Sequence, residues 1–129
     1  MRLLLDTNIL IPLILREQQR LPAAIQRGIS AADSNSYASA ASLWEIAIKV
    51  RSGKLALTVA LETLPSHLDQ LLIDPVPITF AHALAELHEM PPTRDPFDRL
   101  LLAQCQIEGL RLVTTDRTLA AHPLAWREA

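Results

Sequence analysis

Four acidic side chains stand where the sequence predicts strands to end or helices to begin: Asp6, Glu45, Asp98 and Asp116. Asp6 and Asp116 each end an apolar run typical of a buried strand. Glu45 and Asp98 each fall in the predicted first turn of a largely apolar helix. Because the carboxyl ends of parallel strands and the amino ends of the following helices share one edge of a sheet, the four carboxylates are predicted to meet in one cleft.

Each acid also has an explanation that requires no site. Aspartate is a favoured N-cap, which suits the two acids at strand ends. Glu45 stands three residues after Ser42, the spacing of a capping box. Asp98 has the same spacing from Asp95, and the helix dipole favours acids in a first turn. These explanations account for each acid separately. They do not explain why all four acids lie next to apolar segments.

A cluster of carboxylates must either bind a cation or change its pKa values. Two unit charges ~4 Å apart repel by about 4 kcal/mol at an effective dielectric constant of about 20. The single cysteine, Cys105, excludes a zinc site with several cysteines, and the four histidines show no ligand spacing. Oxygen ligands alone favour Mg²⁺ or Mn²⁺.

The elements that must position these acids alternate along the chain. Strands are predicted near residues 3–5, 37–39, 76–78, 110–114 and 124–126. Helices are predicted over 8–16, 22–32, 42–53, 57–72, 79–87, 96–108 and 117–121. This order predicts an α/β sandwich around a mainly parallel sheet, with right-handed crossovers.

Three local details bear on the site. The helix that carries Glu45 has apolar residues around most of its surface, including Trp44 and Ile48, and is therefore expected to be well buried. Asp95 followed by Pro96 predicts a sharp helix start, since proline suits the first helical position. The preceding residues 91–94 are predicted to form a stiff loop.

Length and composition bound the class of protein. A chain of 129 residues, half of them hydrophobic, is expected to fold as one domain over 1–129. The formal charge of −2 gives no global basic field, so nucleic-acid binding would need a local patch. One cysteine suits a reducing compartment. No apolar run approaches a signal peptide or membrane span, so we expect a soluble cytoplasmic protein.

Four motifs, in chain order, resemble those of PIN-domain ribonucleases. They are Leu-Leu-Leu-Asp6-Thr-Asn, Ser42-Leu-Trp-Glu45-Ile, Arg94-Asp-Pro-Phe-Asp98-Arg-Leu-Leu and Val113-Thr-Thr-Asp116. The closest resemblance is to the VapC toxins of bacterial toxin–antitoxin pairs, and it extends over essentially the whole chain. It implies a PIN-like three-layer α/β/α sandwich with a mainly parallel central sheet.

The resemblance also implies a catalytic, metal-binding quartet. Asp6 and Asp98 would be the principal ligands of Mg²⁺, with Mn²⁺ as a possible substitute. Glu45 and Asp116 would complete the site directly or through water. A metal-activated water would then attack an RNA phosphodiester in line, leaving a 5′-phosphate and a 3′-hydroxyl.

Neighbouring polar residues take supporting roles by the same resemblance. Asn8 and Thr115 would orient the carboxylates. Thr93 stands where many relatives carry histidine, so any role of that histidine is absent here. Asp95 is either an N-cap or a further metal ligand, and we favour the cap.

Basic residues near the acids are candidates for RNA contact. Arg94 and Arg99 flank the third acid and would contact phosphate or form surface ion pairs. Lys49, Arg51 and Lys54 cluster at the end of the second acid's helix, where a helix C-terminus alone would favour positive charge. We give phosphate contact more weight for the two arginines than for this cluster.

The resemblance implies a small VapB-like antitoxin and pairing as a homodimer. Residues 8–32 are rich in apolar side chains, including Leu10, Leu13, Ile14 and Leu21. They either pack against the sheet or form a groove for an amphipathic antitoxin segment.

Two rival functions remain open at this point. A haloacid-dehalogenase-like phosphatase would need a second aspartate two residues after Asp6, where this chain has Asn8. A degenerate nuclease scaffold that only binds RNA or a partner is disfavoured by the presence of all four acids.

Overall fold

A parallel four-stranded sheet forms the centre of the protein. The structure is a computed structural model that describes residues 1–91 and 93–129; Pro92, in the predicted 91–94 loop, lies outside the described residues. The strands are β1 (Arg2–Leu5), β2 (Asn35–Ser39), β3 (Ile73–Val76) and β4 (Arg111–Val113). Their order in the sheet is β3-β2-β1-β4, and each neighbouring pair is parallel.

Helices follow each strand, as the predicted alternation requires. They are α1 (Thr7–Ile14), α2 (Ala23–Ser30), α3 (Ala40–Arg51), α4 (Leu64–Gln70), α5 (Phe80–Leu84), α6 (Pro96–Glu108) and α7 (Arg117–Ala120). Short 3₁₀ turns lie at Gln18–Arg20 and Leu61–Thr63. No helix in the described part of the chain is both long enough and apolar enough to cross a membrane.

Successive side chains of β1 point to opposite faces of the sheet, where two separate parts of the core lie. Leu3 and Leu5 point into a cluster formed with α1 to α4, whereas Leu4 points into a second cluster with Leu101 and Leu102 of α6. All three β1 leucines are fully buried. Helices therefore cover both faces of the sheet, which confirms the predicted α/β class with its parallel sheet and places β1 at the centre.

Two element boundaries were predicted wrongly in the middle of the chain. β3 ends at Val76 rather than beginning there, because Ile73 and Val76 are the residues whose side chains are buried. The helix predicted over 57–72 shortens to α4 after its 3₁₀ turn. Pro65 does not break this helix, since it occupies the first turn, where a missing N–H costs little.

The expected burial of α3 around most of its surface is also wrong. Trp44 is 61% exposed and Ile48 is 43% exposed, because the helix covers the sheet with only one face, centred on Ile46. The Trp44 ring instead lies against the Phe97 ring of α6, with 5.5 Å between centroids. α3 thus carries apolar surface outward as well as inward.

In the helix predicted over 79–87, Phe80, Ala83, Leu84 and Leu87 share one helical face by their spacing, but this face is not buried as a whole. α5 spans only Phe80–Leu84, and the side chains of Phe80 and Leu84 are 88% and 83% exposed. The inward residue is His82, whose Nδ1 accepts from the Thr79 backbone N–H while its Nε2 lies 3.3 Å from Glu108. A buried histidine with two polar partners has replaced the expected apolar contact.

The C-terminal elements close the sheet beside β4. Gly109 adopts a left-handed conformation that ends α6 at Glu108, where the helix was predicted to end. The strand predicted near 124–126 is reduced to one parallel bridge between Leu112 and Ala125, made by the hydrogen bonds of Leu112 to Leu124 and Trp126.

Candidate active site

One cleft at the carboxyl edge of the sheet brings together all four predicted acids. It has a volume of about 260 Å³. Its lining consists of Asp6, Thr7, Asn8, Ile11, Glu45, Lys49, Asp95, Asp98 and Asp116. These residues come from the β1–α1 junction, α3, the start of α6 and the β4–α7 junction, which is the convergence that the parallel topology predicts.

Asp6 is the most enclosed of these acids, with 5% of its surface exposed. Its Oδ1 accepts from the Thr7 backbone N–H at 2.8 Å, and its Oδ2 accepts from the Thr114 hydroxyl at 2.7 Å. Burial raises the pKa of Asp6, and the negative charges of Glu45 and Asp116 raise it further, against the two hydrogen bonds that lower it. Asp6 therefore caps α1 and still presents a carboxylate to the cleft.

Asp98 is half-buried at the start of α6. Burial and the nearby charges of Asp95 and Asp6 raise the pKa of Asp98 to about 6. The Thr93 hydroxyl donates to its Oδ2 at 3.2 Å. Asp95 is the N-cap, as favoured, and accepts from the Phe97 N–H at 2.9 Å.

The capping-box explanations of Asp98 and Glu45 are wrong. The Asp95 backbone N–H, which such a box would bond to Asp98, donates instead to Thr93 at 3.1 Å. α3 begins earlier than predicted, with Ser39 as its N-cap, so Glu45 lies in the second turn. Neither carboxylate is accounted for by helix capping.

Glu45 is held by donors from two elements. Its Oε1 accepts from the Thr7 hydroxyl at 2.6 Å, and its Oε2 lies 3.0 Å from the Lys49 ammonium. The Thr7 contact ties α3 to α1 across the cleft. The two contacts together orient the Glu45 carboxylate.

Asp116 is an exposed N-cap of α7 and accepts from the Thr118 N–H at 2.8 Å. Its own backbone N–H donates to the Thr114 hydroxyl at 3.0 Å. The same hydroxyl donates to Asp6, so Thr114 links the first and fourth acids of the quartet.

Asn8, which lines the cleft, and Thr115 were predicted to orient the carboxylates. Asn8 donates to Thr115 at 3.2 Å, so these two residues bond to each other across the junctions of β1 and β4. Within the described residues, side-chain hydroxyl bonds to the acids come from Thr7, Thr93 and Thr114. The sequence signal was a threonine close in sequence to an acid, but sequence alone does not say which threonine turns inward.

The basic residues predicted as candidates for RNA contact lie at different distances from the acids. Neither Arg94 nor Arg99 lines the acidic cleft; Arg99 lines a separate groove with Leu100 and Ala103 on the α5 side. Lys49, to which less weight was given, is part of the cleft wall. Helical spacing of four residues from Glu45 was the signal that pointed to it.

The donor set of the cleft suits a hard cation, since it consists of carboxylate, hydroxyl and amide groups. Across residues 1–91 and 93–129, no three acidic, histidine or cysteine side chains stand close enough to share an ion as they are now placed. Burial, and after it the charges of neighbouring acids, raise the pKa values of Asp6 and Asp98, so binding of a cation would favour their ionised forms. Side-chain rotation would be needed to gather them around a cation.

The chain belongs to the PIN domain family, which it matches over residues 3–123. Members of this family are nuclease-type hydrolases. The match is to this family and not to a haloacid-dehalogenase-like phosphatase, and that reading is set aside. No curated protein matches the chain.

Two solved structures show a similar fold. A toxin–antitoxin complex from Klebsiella pneumoniae has a TM-score of 0.63 at 19% identity, covering 96% of this chain and 95% of that chain. VapBC2 from Rickettsia felis, bound to a DNA fragment from their promoter, has a TM-score of 0.64 at 18% identity, covering 97% and 96%. At such identities the likeness establishes the fold.

Proposed function

We propose that this chain is a divalent-metal-dependent endoribonuclease and the toxin of a VapBC-like toxin–antitoxin pair. The observation that carries the proposal is the meeting of Asp6, Glu45, Asp98 and Asp116 in one oxygen-lined cleft of a PIN domain. PIN domains generally depend on divalent metals, and of the two similar structures described above one is named a toxin–antitoxin complex and the other VapBC2. The proposal treats residues 1–129 as a single PIN domain.

In this proposal Asp6 and Asp98 are the principal ligands of Mg²⁺, and Glu45 and Asp116 complete the site. When bound, the ion would lower the pKa of a water molecule and neutralise charge on an RNA phosphodiester. The protein contributes orientation: threonine hydroxyls donate to the carboxylates of three of the four acids, Asp6, Glu45 and Asp98, and burial withdraws Asp6 from bulk water.

An antitoxin segment is proposed to bind beside α1 and α2. Leu10 and Ile14 belong to the core, so that part of the apolar surface packs against the sheet. Leu13, and Leu21 at the edge of the same core, line a mainly apolar groove of about 220 Å³. The rest of that groove is formed by Gln18, Gln26, Ile29, Ser30 and Leu71. Its size and composition suit one face of an amphipathic helix.

A homodimer is proposed on the opposite side of the fold. Phe80 and Leu84 project from successive turns of α5 and are almost fully exposed. Apolar side chains paired in this way often mark an interface, and symmetric pairing of two copies would cover them.

Metal-dependent RNA cleavage is the first expected result. Purified protein incubated with a mixed RNA pool should cleave it in Mg²⁺ or Mn²⁺ and should stop when EDTA is added, because the ion would activate the attacking water and neutralise charge on the phosphodiester. Product ends should carry 5′-phosphate. Cleavage that persists in EDTA, or no cleavage of any RNA in either metal, would contradict the proposal.

Tight association with a small partner is the second expected result. Co-expression with the product of the neighbouring short gene should give a complex that contains two toxin chains by light scattering and that no longer cleaves RNA. Phe80→Asp should reduce the assembly to one toxin chain while leaving the partner bound. A monomer that neither retains nor is inhibited by the small protein would defeat the toxin assignment and leave the nuclease assignment standing.

A further inference from the structure

A lysine lies on the wall of the acid-lined cleft. The Lys49 ammonium is 3.0 Å from Glu45 Oε2, and its side chain is 44% exposed. Among the described residues that line the cleft, Lys49 is the only basic one. A cleft that must admit a phosphate among several carboxylates therefore has one positive side chain of its own.

The position of this ammonium is better defined than that of an ordinary surface pair. Exposed pairs at this helical spacing contribute only ~0.3–0.5 kcal/mol, because both side chains stay mobile. Here the other oxygen of Glu45 is held by the Thr7 hydroxyl at 2.6 Å. The carboxylate that holds Lys49 is thus itself fixed by α1.

The ammonium also keeps donors free. A lysine has three N–H donors, and Glu45 is its one ion-pair partner in the described structure. The remaining donors have access to the cleft and to solvent. The lysine ammonium is a compact positive charge, and a phosphate oxygen is an acceptor that it can bind at this position.

We propose that Lys49 binds a phosphate of the RNA substrate beside the acidic quartet. The inference rests on the proposed nuclease function and adds to it a residue that positions substrate rather than metal. Glu45 then has two tasks: it faces the proposed cation site, and it sets the place of the ammonium. The competing explanation is that Lys49 only neutralises Glu45.

RNA binding without metal separates these explanations. Affinity for a short labelled single-stranded RNA is measured by fluorescence anisotropy in EDTA over a range of salt concentrations. Loss of one phosphate contact should reduce the magnitude of the log K against log[salt] slope by about 0.7 for a single strand. Lys49→Ala should show that reduction equally on RNAs of different sequence, and Lys49→Arg should retain the wild-type slope.

Lys54→Ala is the matched control, since Lys54 is a nearby lysine outside the cleft lining. It should leave the slope unchanged. With Mg²⁺ present, Lys49→Ala should raise KM while kcat stays near the wild-type value, because a phosphate anchor serves ground state and transition state alike. Thermal unfolding checks that each variant is folded.

The proposal is overturned if Lys49→Ala keeps the wild-type slope, or if Lys49→Ala and Lys54→Ala reduce the slope equally. It is also overturned if Lys49→Ala alters only the Mg²⁺ concentration that cleavage requires. Wild-type protein that binds RNA without cleaving it would remove the nuclease proposal and leave the Lys49 contact measurable. Wild-type protein that neither binds RNA in EDTA nor cleaves it in Mg²⁺ would overturn both.

Discussion

The Asp98→Asn protein is expected to fold normally and to cleave RNA more than ~100-fold more slowly than wild type. Removing a residue that only hydrogen-bonds to a metal ligand already lowers metal affinity or activity by about 10–100-fold, and Asp98 is proposed to be a ligand itself. Asparagine has nearly the same shape and can still accept the Thr93 hydroxyl bond, but it lacks the charge that would hold Mg²⁺. Initial rates of RNA cleavage at saturating Mg²⁺ provide the measurement.

Asp95→Asn is the matched control for this variant. Asn is as good an N-cap as Asp, so the Phe97 N–H keeps its acceptor and α6 keeps its start. If Asp95 serves as a cap, cleavage should survive this change. A folded Asp98→Asn protein that cleaves RNA at the wild-type rate would remove Asp98 from the site.

Asp98→Asn should also stabilise the metal-free protein at neutral pH. Since the folded-state pKa of Asp98 is raised to about 6, the folded state favours the protonated form. In wild-type protein the contribution of Asp98 to the free energy of unfolding is therefore most favourable below the unfolded-state pKa near 4. It is lost as pH rises through the folded-state pKa of about 6 and the carboxylate ionises. The full shift corresponds to ~3 kcal/mol, and solvent screening of this half-buried group reduces the expected gain to ~1 kcal/mol.

Unfolding midpoints in EDTA at pH 5 and pH 7 test the sign. The advantage of Asp98→Asn over wild type should be larger at pH 7, where the wild-type carboxylate is ionised and crowded. An advantage that shrinks between pH 5 and pH 7 would mean that the Asp98 charge is favourably paired in the folded state.

The edge at which the acids meet was predictable because it follows from topology. Three leucines before Asp6 predict a central strand, and a proline after Asp95 predicts where α6 begins. Both boundaries hold in the structure. Once the strands are parallel, their carboxyl ends and the helix starts must share one side, whatever the loops do.

The outward faces of the helices were not predictable in the same way. Periodicity shows which side chains share a helical face, but not how much of the helix its neighbours cover. Trp44 and Phe80 fit apolar faces in sequence and are nevertheless largely exposed. Conversely His82 is buried, because Glu108, distant in sequence, supplies a partner that the local pattern does not reveal.

Hydroxyl orientation was equally hidden. Thr114 and Thr115 are adjacent, and either one satisfies a motif that places threonine before Asp116. The backbone at the end of β4 turns Thr114 toward Asp6 and leaves Thr115 exposed beside Asn8. The backbone conformation at the end of β4 therefore decides which threonine bonds to Asp6. The sequence motif does not predict that conformation.

Thr114→Val is expected to weaken Mg²⁺ binding by about 10–100-fold, the usual cost of removing a partner that orients a ligand. Valine has the shape of threonine without its hydroxyl, so Asp6 loses a donor at 2.7 Å and the Asp116 N–H loses an acceptor at 3.0 Å. Because the Thr114 hydrogen bond lowers the pKa of Asp6, its loss should raise that pKa further and make the buried carboxylate a poorer ligand at neutral pH.

Mg²⁺ titration followed by calorimetry, without RNA, measures this effect apart from catalysis. Thr114→Ser should restore most of the affinity, because serine supplies the same hydroxyl. Thr115→Val is the control of equal size: it breaks only the exposed contact with Asn8 and should leave Mg²⁺ affinity within about threefold of wild type, as expected of a surface change of up to ~0.5 kcal/mol. Equal losses in the two valine variants would show that Thr114 does not hold Asp6 for the metal, and unchanged affinity in Thr114→Val would place the cation away from Asp6 altogether.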